Sequence, residues 1–145
     1  LRKNGDSETN VYKKGLKLKE EKLSNIFCIG EDLETLKSLN KKSFLLNQLK
    51  AFCKNGLEPD LLAYEPIWAI GKGIEADSEN ISSAVSIILN FLHKNKINCP
   101  VLYGGSVSTS NIEEIISIPG LDGCLVGNSS LDGEQFAIIA SKIKS

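Results

Sequence analysis

Glu65 is the residue of this sequence best placed for acid–base chemistry. It directly follows the apolar run Leu61–Tyr64 and directly precedes Pro66, so its carboxylate stands at a strand end on a restricted backbone. Set against Trp68 and other apolar groups, such a carboxylate is partly desolvated, more basic, and suited to abstracting a proton. On the residues alone a second reading stays open: a strand-end Glu that pairs with a Lys. Glycines mark the other strand ends. Gly30-Glu31 follows one apolar run, Gly104-Gly105-Ser106-Val107 a second and Gly127-Asn128-Ser129-Ser130 a third, while Gly71-Lys72-Gly73 lies eight residues or fewer beyond Glu65. Glycine lets a backbone N–H approach an oxyanion closely, and a following helix N-terminus adds partial positive charge. N–H groups converging from three loops would hold a phosphate dianion without Arg or Lys. The alternative is that these glycines only make tight turns. Residues 66–76 have glycines at the centre and small or apolar residues at the ends, which fits either a hinged lid or an ordinary surface loop.

These residues need elements to position them, and the chain alternates short apolar runs with stretches of helical spacing. Residues 8–23 read as a Lys-rich surface helix with no strand before it. Residues 25–30 form a continuous apolar run, the mark of a strand buried on both faces. Residues 35–55 read as one helix carrying Leu45, Leu49, Phe52 and Cys53 on a face, with Gly56 as its stop. After the second strand, Asp77 or Ser78 caps a helix whose Ile81, Ala84, Val85, Ile88, Leu89 and Leu92 form an apolar stripe. Residues 100–103 make the third strand. A Ser110-x-x-Glu113 capping box opens a helix ending near Pro119, and residues 123–126 and 131–143 give the last strand and helix. Four strand-then-helix units with short links require parallel strands and right-handed crossovers in one domain. Pattern alone leaves an open sheet and part of a barrel equally available.

Composition narrows the function classes. Seventeen basic residues against eighteen acidic ones give a net charge of −1 over 145 residues, and Arg2 is the sole arginine. Such a surface offers no electrostatic footprint for nucleic acid or an anionic membrane. No apolar run is long enough to cross a bilayer, since the richest, residues 84–92, is broken by Ser86 and Asn90. Cys28, Cys53, Cys99 and Cys124 lie far apart with no C-x-x-C, which predicts reduced core thiols and a cytoplasmic location. The N-x-S/T matches at Asn80 and Asn128 then carry no glycosylation meaning. The length suits one ordinary domain but is too short for a complete (β/α)8 barrel, which needs about 200 residues even when trimmed.

The run Ala63-Tyr64-Glu65-Pro66-Ile67-Trp68-Ala69-Ile70-Gly71-Lys72-Gly73 closely resembles the signature of the triosephosphate isomerase family. Tyr103-Gly104-Gly105-Ser106-Val107 and the run from Asp122 to Leu131 resemble that family in order and spacing, and Cys28-Ile29-Gly30-Glu31 looks like its fifth strand end. The resemblance spans essentially the whole chain. It implies a (β/α)8 TIM barrel of which residues 1–145 are the C-terminal half, strands five to eight preceded by helix four. It implies interconversion of dihydroxyacetone phosphate and D-glyceraldehyde 3-phosphate through an enediolate, with no cofactor and no metal, in a homodimer when full length. Carried over, Glu65 is the catalytic base. Gly71, Ser106, Gly127 and Asn128 donate N–H groups to the substrate phosphate, and Pro66, Ile67, Trp68, Ala69, Ile70, Lys72 and Gly73 build the closing lid.

The sequence departs from the family at several points. Asn128 stands where many members have a second glycine, a place where tolerance of left-handed φ would help. Lys72 adds a charge near the phosphate. The family's catalytic Lys, its electrophilic His and its subunit-joining loop belong to the first half of the barrel and have no counterpart here. His93, the sole histidine, falls at no special family position, and the match around Arg2 is too poor to carry a role. Leu1 in place of Met and a first helix with no strand before it fit a chain lacking its first half, and without that half's Lys and His the chain is expected to be inactive alone. Two readings compete with this one: a self-sufficient phosphate-binding or self-assembling half barrel, and a different phosphate-binding barrel. The latter leaves the long run around Glu65 unexplained.

Overall fold

Four apolar runs form strands. In the computed structural model, which describes residues 6–38, 40–70 and 76–143, β1 is Ile26–Ile29, β2 Leu61–Tyr64, β3 Val101–Tyr103 and β4 Gly123–Cys124. They pair in parallel in the order β1-β2-β3-β4, as the strand-then-helix alternation requires. The helices are α1 (Glu8–Glu20), α2 (Leu33–Lys37), α3 (Lys41–Phe52), α4 (Ser78–Asn95), α5 (Ile112–Ile116) and α6 (Gly133–Lys142).

Register sorts the side chains by face. Phe27, Leu62 and Val101 align, as do Ile29, Tyr64, Tyr103 and Cys124, and these residues pack with the helices in the core. Cys28, Ala63, Leu102 and Gly123 align on the opposite face. Glu65, two residues beyond Ala63, therefore belongs to that second face. Helix α4 packs against α3 and turns its apolar stripe into the core: Ile81, Ala84, Val85, Ile88 and Leu92 are buried, and Asp77 caps it by accepting the Asn80 N–H at 2.7 Å. Leu89, expected in the stripe, sits at its rim, 36% exposed.

Several expected boundaries move, and the last strand, expected over residues 123–126, is only Gly123–Cys124. The single helix over residues 35–55 is two helices. Ser38 Oγ donates to the Thr35 carbonyl and Asn40 Nδ2 to Ser38 Oγ, so side chains take over groups a continuous helix would use. The Ser110–Glu113 capping box does not form. Asn111 holds the cap position of α5, its side chain is bound into the preceding loop, and Ser110 Oγ pairs with Ser108 Oγ at 2.7 Å. Residues 128–131 form a 3-10 turn, and Asp132 caps α6, which starts at Gly133.

The four cysteines form no disulfide and are half-buried; burial pushes the Cys53 thiol up to about 12 and those of Cys99 and Cys124 to about 11. Among the described residues no helix is long and apolar enough to cross a membrane. Both outer strands carry an edge with no partner strand among the described residues. Exposed apolar side chains gather at the two ends of the sheet order, with Leu23, Ile26 and Leu33 around β1 and Leu131, Phe136 and Ile138 after β4.

Helix α1 approaches the core through Gly15, where a Cβ would stand 2.7 Å from Phe52 Cε2 and 2.8 Å from Leu57 Cδ2. Gly15→Val is expected to lower the unfolding free energy of the complete protein by about 1–3 kcal/mol. Gly133→Ala, whose Cβ meets nothing within 4 Å, should change it by less than about 1 kcal/mol. Urea denaturation of both variants checks this, and equal losses would contradict it.

Candidate active site

Parallel pairing brings all four strand ends to one edge of the sheet, where α/β proteins collect their chemistry. The Glu65 N–H donates to the Ile29 carbonyl at 2.7 Å and the Gly104 N–H to the Tyr64 carbonyl at 2.9 Å, so pairing continues one residue past β2 and β3. This sets Glu65 between two glycines. A Cβ on Gly30 would collide with the Glu65 carbonyl, and one on Gly104 would lie 2.6 Å from Glu65 Cγ and 2.9 Å from Oε1. The glycines on both sides are thus required by the position of Glu65 itself.

The Glu65 carboxyl is half-buried, and burial raises it above the ordinary carboxylate value, while a hydrogen bond from the Cys28 thiol opposes that rise. It lines a cavity of about 440 Å³ together with Gly104, Gly105, Ser106, Gly127 and Asn128. That volume falls within the roughly 300–1,000 Å³ of small-molecule sites. Sequence reasoning placed these residues at one mouth, and they do meet there. Among the described residues the N–H groups of Ser106 and Gly127 donate to no backbone carbonyl.

Side chains hold the cavity walls. Asn111 accepts the Ser108 N–H at 2.8 Å and donates to the Ser106 carbonyl at 3.0 Å, closing the loop after β3. Ser129 Oγ donates to the Val107 carbonyl at 2.8 Å, joining the loop after β4 to the loop after β3. Gly127 and Asn128 are exposed, and a Cβ on Gly127 would meet nothing within 4 Å. Asn128 is absent from the residues of positive φ and begins the 3-10 turn, so its tolerance of left-handed φ is not used.

Of the residues expected to build a lid, Pro66 and Ala69 are buried, Ile67–Ala69 forms a 3-10 turn, and Ile70 reaches the cavity. Gly71, Lys72 and Gly73 lie outside the described residues. Ser106 Oγ donates to the Ala69 carbonyl at 2.7 Å, tying the turn to the cavity wall. His93 is exposed on α4. Among the described residues no group of three or more His, Cys, Asp or Glu is arranged to hold a metal ion.

Three polar residues are buried in the core among the described residues: Glu31, which the sequence marks only as part of a strand end, and Lys41 and Gln48, which sequence reasoning missed. Glu31 Oε1 accepts from Tyr64 Oη at 2.9 Å and from Trp68 Nε1 at 3.3 Å, while its carbonyl accepts the Ile67 N–H at 2.9 Å. Burial first, and then the Glu31 charge, hold the Tyr64 phenol protonated. Gln48 grips Gly30 at both ends, accepting its N–H at 3.0 Å and donating to its carbonyl at 3.1 Å. Their signal was present: Lys41, Leu45, Gln48, Leu49 and Phe52 follow helical spacing, which puts two polar residues on an apolar stripe.

Such a parallel sheet, with a desolvated carboxylate and glycine loops sharing one cavity at its C-terminal edge, is characteristic of (β/α)8-barrel enzymes. A family model described as triosephosphate isomerase matches residues 2–143. The triosephosphate isomerases of Ureaplasma parvum serovar 3 and Campylobacter concisus are 41% identical over 121 residues and 47% identical over 111, covering 82% and 77% of this chain. A crystal structure of triosephosphate isomerase from Bartonella henselae superposes with a TM-score of 0.83 at 28% identity, covering 94% of this chain and 56% of that one. The chain belongs to the triosephosphate isomerase family. It spans about half the length of the curated relatives it matches, 51% and 46% of the two named.

Removing the Cys28 thiol withdraws the hydrogen bond that favours the charged form of Glu65, so Cys28→Ala should raise the Glu65 pKa further. A carbon-13 NMR titration of the Glu65 carboxyl in the complete protein measures this. A lower or unchanged value would contradict it.

Proposed function

We propose that this chain is the C-terminal half of a single triosephosphate isomerase barrel domain. The complete protein would interconvert dihydroxyacetone phosphate and D-glyceraldehyde 3-phosphate through an enediolate. The observation that carries the proposal is the shared cavity of about 440 Å³, in which the raised Glu65 carboxyl faces the loops of Ser106, Gly127 and Asn128.

In this reading Glu65 is the catalytic base. It takes a proton from one substrate carbon and returns it to the neighbour, a role that needs a carboxylate more basic than usual but still ionised near neutrality. Triosephosphate isomerase is itself the standard example of this chemistry, with a Glu base, a neutral His and a closing loop. The N–H groups of Gly71, Ser106, Gly127 and Asn128 bind the phosphate dianion. Backbone donors suit that task because they carry partial charge without titrating. The lid running from Pro66 to Gly73 would shut water out of the enediolate, from which phosphate is otherwise eliminated. The Lys and His that polarise the substrate carbonyl would come from the other half of the barrel. The same reading makes the complete protein a cytoplasmic homodimer that works in glycolysis and gluconeogenesis.

An isomerase assay on the complete protein tests this, with Glu65→Gln beside it. The variant should lose about 100-fold to 10,000-fold in kcat, the usual worth of a positioned base. A wild-type protein with no activity, or a variant that keeps it, would sink the proposal. The 145-residue chain alone should not turn over substrate at enzymatic rates, because it supplies no electrophile. A kcat from the purified fragment close to that of an intact enzyme would refute this.

A further inference from the structure

Behind the turn that follows Glu65 lies a buried ionic cluster that the proposed chemistry does not use. Lys41, the first residue of α3, is 8% exposed, and among the described residues it is the one buried basic side chain. Its Nζ donates to the Asn80 carbonyl at 2.6 Å and lies 5.6 Å from the centre of the Tyr64 ring. Burial pulls its ammonium below the ordinary lysine range, and the charges of Glu31 and Asp77 oppose that fall. Glu31 is wholly buried, and its Oε2 has no hydrogen-bond partner among the described residues. A carboxylate so placed is strongly unfavourable unless a cation stands near it.

The contacts from this cluster run without a break to the cavity. Lys41 stands over the Tyr64 ring, whose hydroxyl donates to the Glu31 carboxylate; Glu31 holds Ile67 through its carbonyl and Trp68 through its carboxylate; the turn they fix presents the Ala69 carbonyl to Ser106 Oγ. At the same time Lys41 grips the first turn of α4 through Asn80, whose N–H and side-chain amide are both bound to Asp77. We propose that Lys41 is a positioning residue. Its ammonium keeps the Glu31 carboxylate in place beneath Trp68 and thereby sets where the Ile67–Ala69 turn holds Ser106 at the anion-binding wall of the cavity. This rests on the reading of Ser106 as a phosphate ligand.

The test uses the complete protein with Lys41→Met, which keeps the stem without the charge, and Lys41→Arg, which keeps the charge. The first readout is the Trp68 indole N–H resonance in nitrogen-15 NMR, assigned by its loss in Trp68→Phe. The second is inhibition by inorganic phosphate, and the third is kcat/KM for triose phosphate against that for glyceraldehyde, which has no phosphate. Lys41→Met should shift the indole resonance, weaken phosphate inhibition, and lower kcat/KM for triose phosphate about tenfold or more, since small misplacements at a site are costly. The value for glyceraldehyde should hold, and Lys41→Arg should restore most of the loss. An unmoved resonance, or equal losses on both substrates, would overturn the proposal. If Lys41→Met does not fold, Lys41→Gln, which keeps a donor to Asn80, takes its place under the same criteria. A wild-type protein that neither isomerises nor binds phosphate refutes the functional reading instead, while the indole resonance still decides the role of Lys41.

Discussion

The position of Glu65 between the two neighbouring strand ends is the constraint on which the site depends. Parallel pairing carries one residue past β2, β3 and β4, so the backbone of Glu65 is pressed against Gly30 and its side chain against Gly104. Neither glycine is there for a left-handed turn, since neither is among the residues of positive φ. Each is there because any Cβ would occupy space that Glu65 fills. A third glycine, Gly105, is kept free of a side chain by the Tyr103 hydroxyl. The glycines at the mouth therefore divide into two kinds. Gly30, Gly104 and Gly105 make room for the protein's own groups, whereas Gly127 borders open space in the cavity. Sequence alone could not separate these roles, because each is defined by a neighbour distant along the chain.

What is legible in the sequence follows from strong, local patterns. Four continuous apolar runs become four strands, and the stripe from Ile81 to Leu92 with Asp77 before it becomes α4 and its cap. Misreading occurs where side chains compete for backbone groups. Ser38 and Asn40 break a stretch that reads as one helix, and Asn111 turns its amide back into the loop before α5. Both residue types can serve a cap, a turn or a loop clamp, and only the tertiary setting chooses among them. The convergence of Glu65 with the loops after β3 and β4 is readable because parallel topology forces strand ends together. The placing of Lys41 and Glu31 around Tyr64 is not, because a helix break separates two charges that come near each other only in the fold.

That pair shows a different use of the interior. A buried ion pair is a weak source of stability, and an apolar replacement is often neutral or better. Gln48 raises the same question, since a leucine would sit as readily between Leu45 and Leu49. Yet all three buried polar side chains end on the backbone or side chains around the site: Gln48 on Gly30, Glu31 on the turn after Glu65, and Lys41 on the start of α4. Hydrophobic contacts tolerate small slides at little cost, whereas a hydrogen bond fixes both distance and direction. A site that relies on backbone donors needs its loops fixed in that manner, because there is no flexible side chain to take up an error.

The unpaired face of the sheet sets the environment of the base. Cys28, Ala63, Leu102 and Gly123 line the face that carries Glu65, and three of these four are small, so little of their own bulk covers the carboxylate. The half-exposed Ile26 and the unpaired edge of β1 adjoin the same region. Burial is already the largest influence on the Glu65 carboxyl in this chain and acts to raise it. In the complete barrel proposed above, further strands would pair with both edges and cover this face, so the desolvation of Glu65 could only increase. The Cys28 hydrogen bond acts in the opposite direction, favouring the charged form, and it comes from the strand beside the base. The two effects together describe how a strand-end carboxylate can be made more basic by enclosure and still remain ionised: the enclosing strands withdraw water from it, and a neighbouring donor keeps part of its charge solvated.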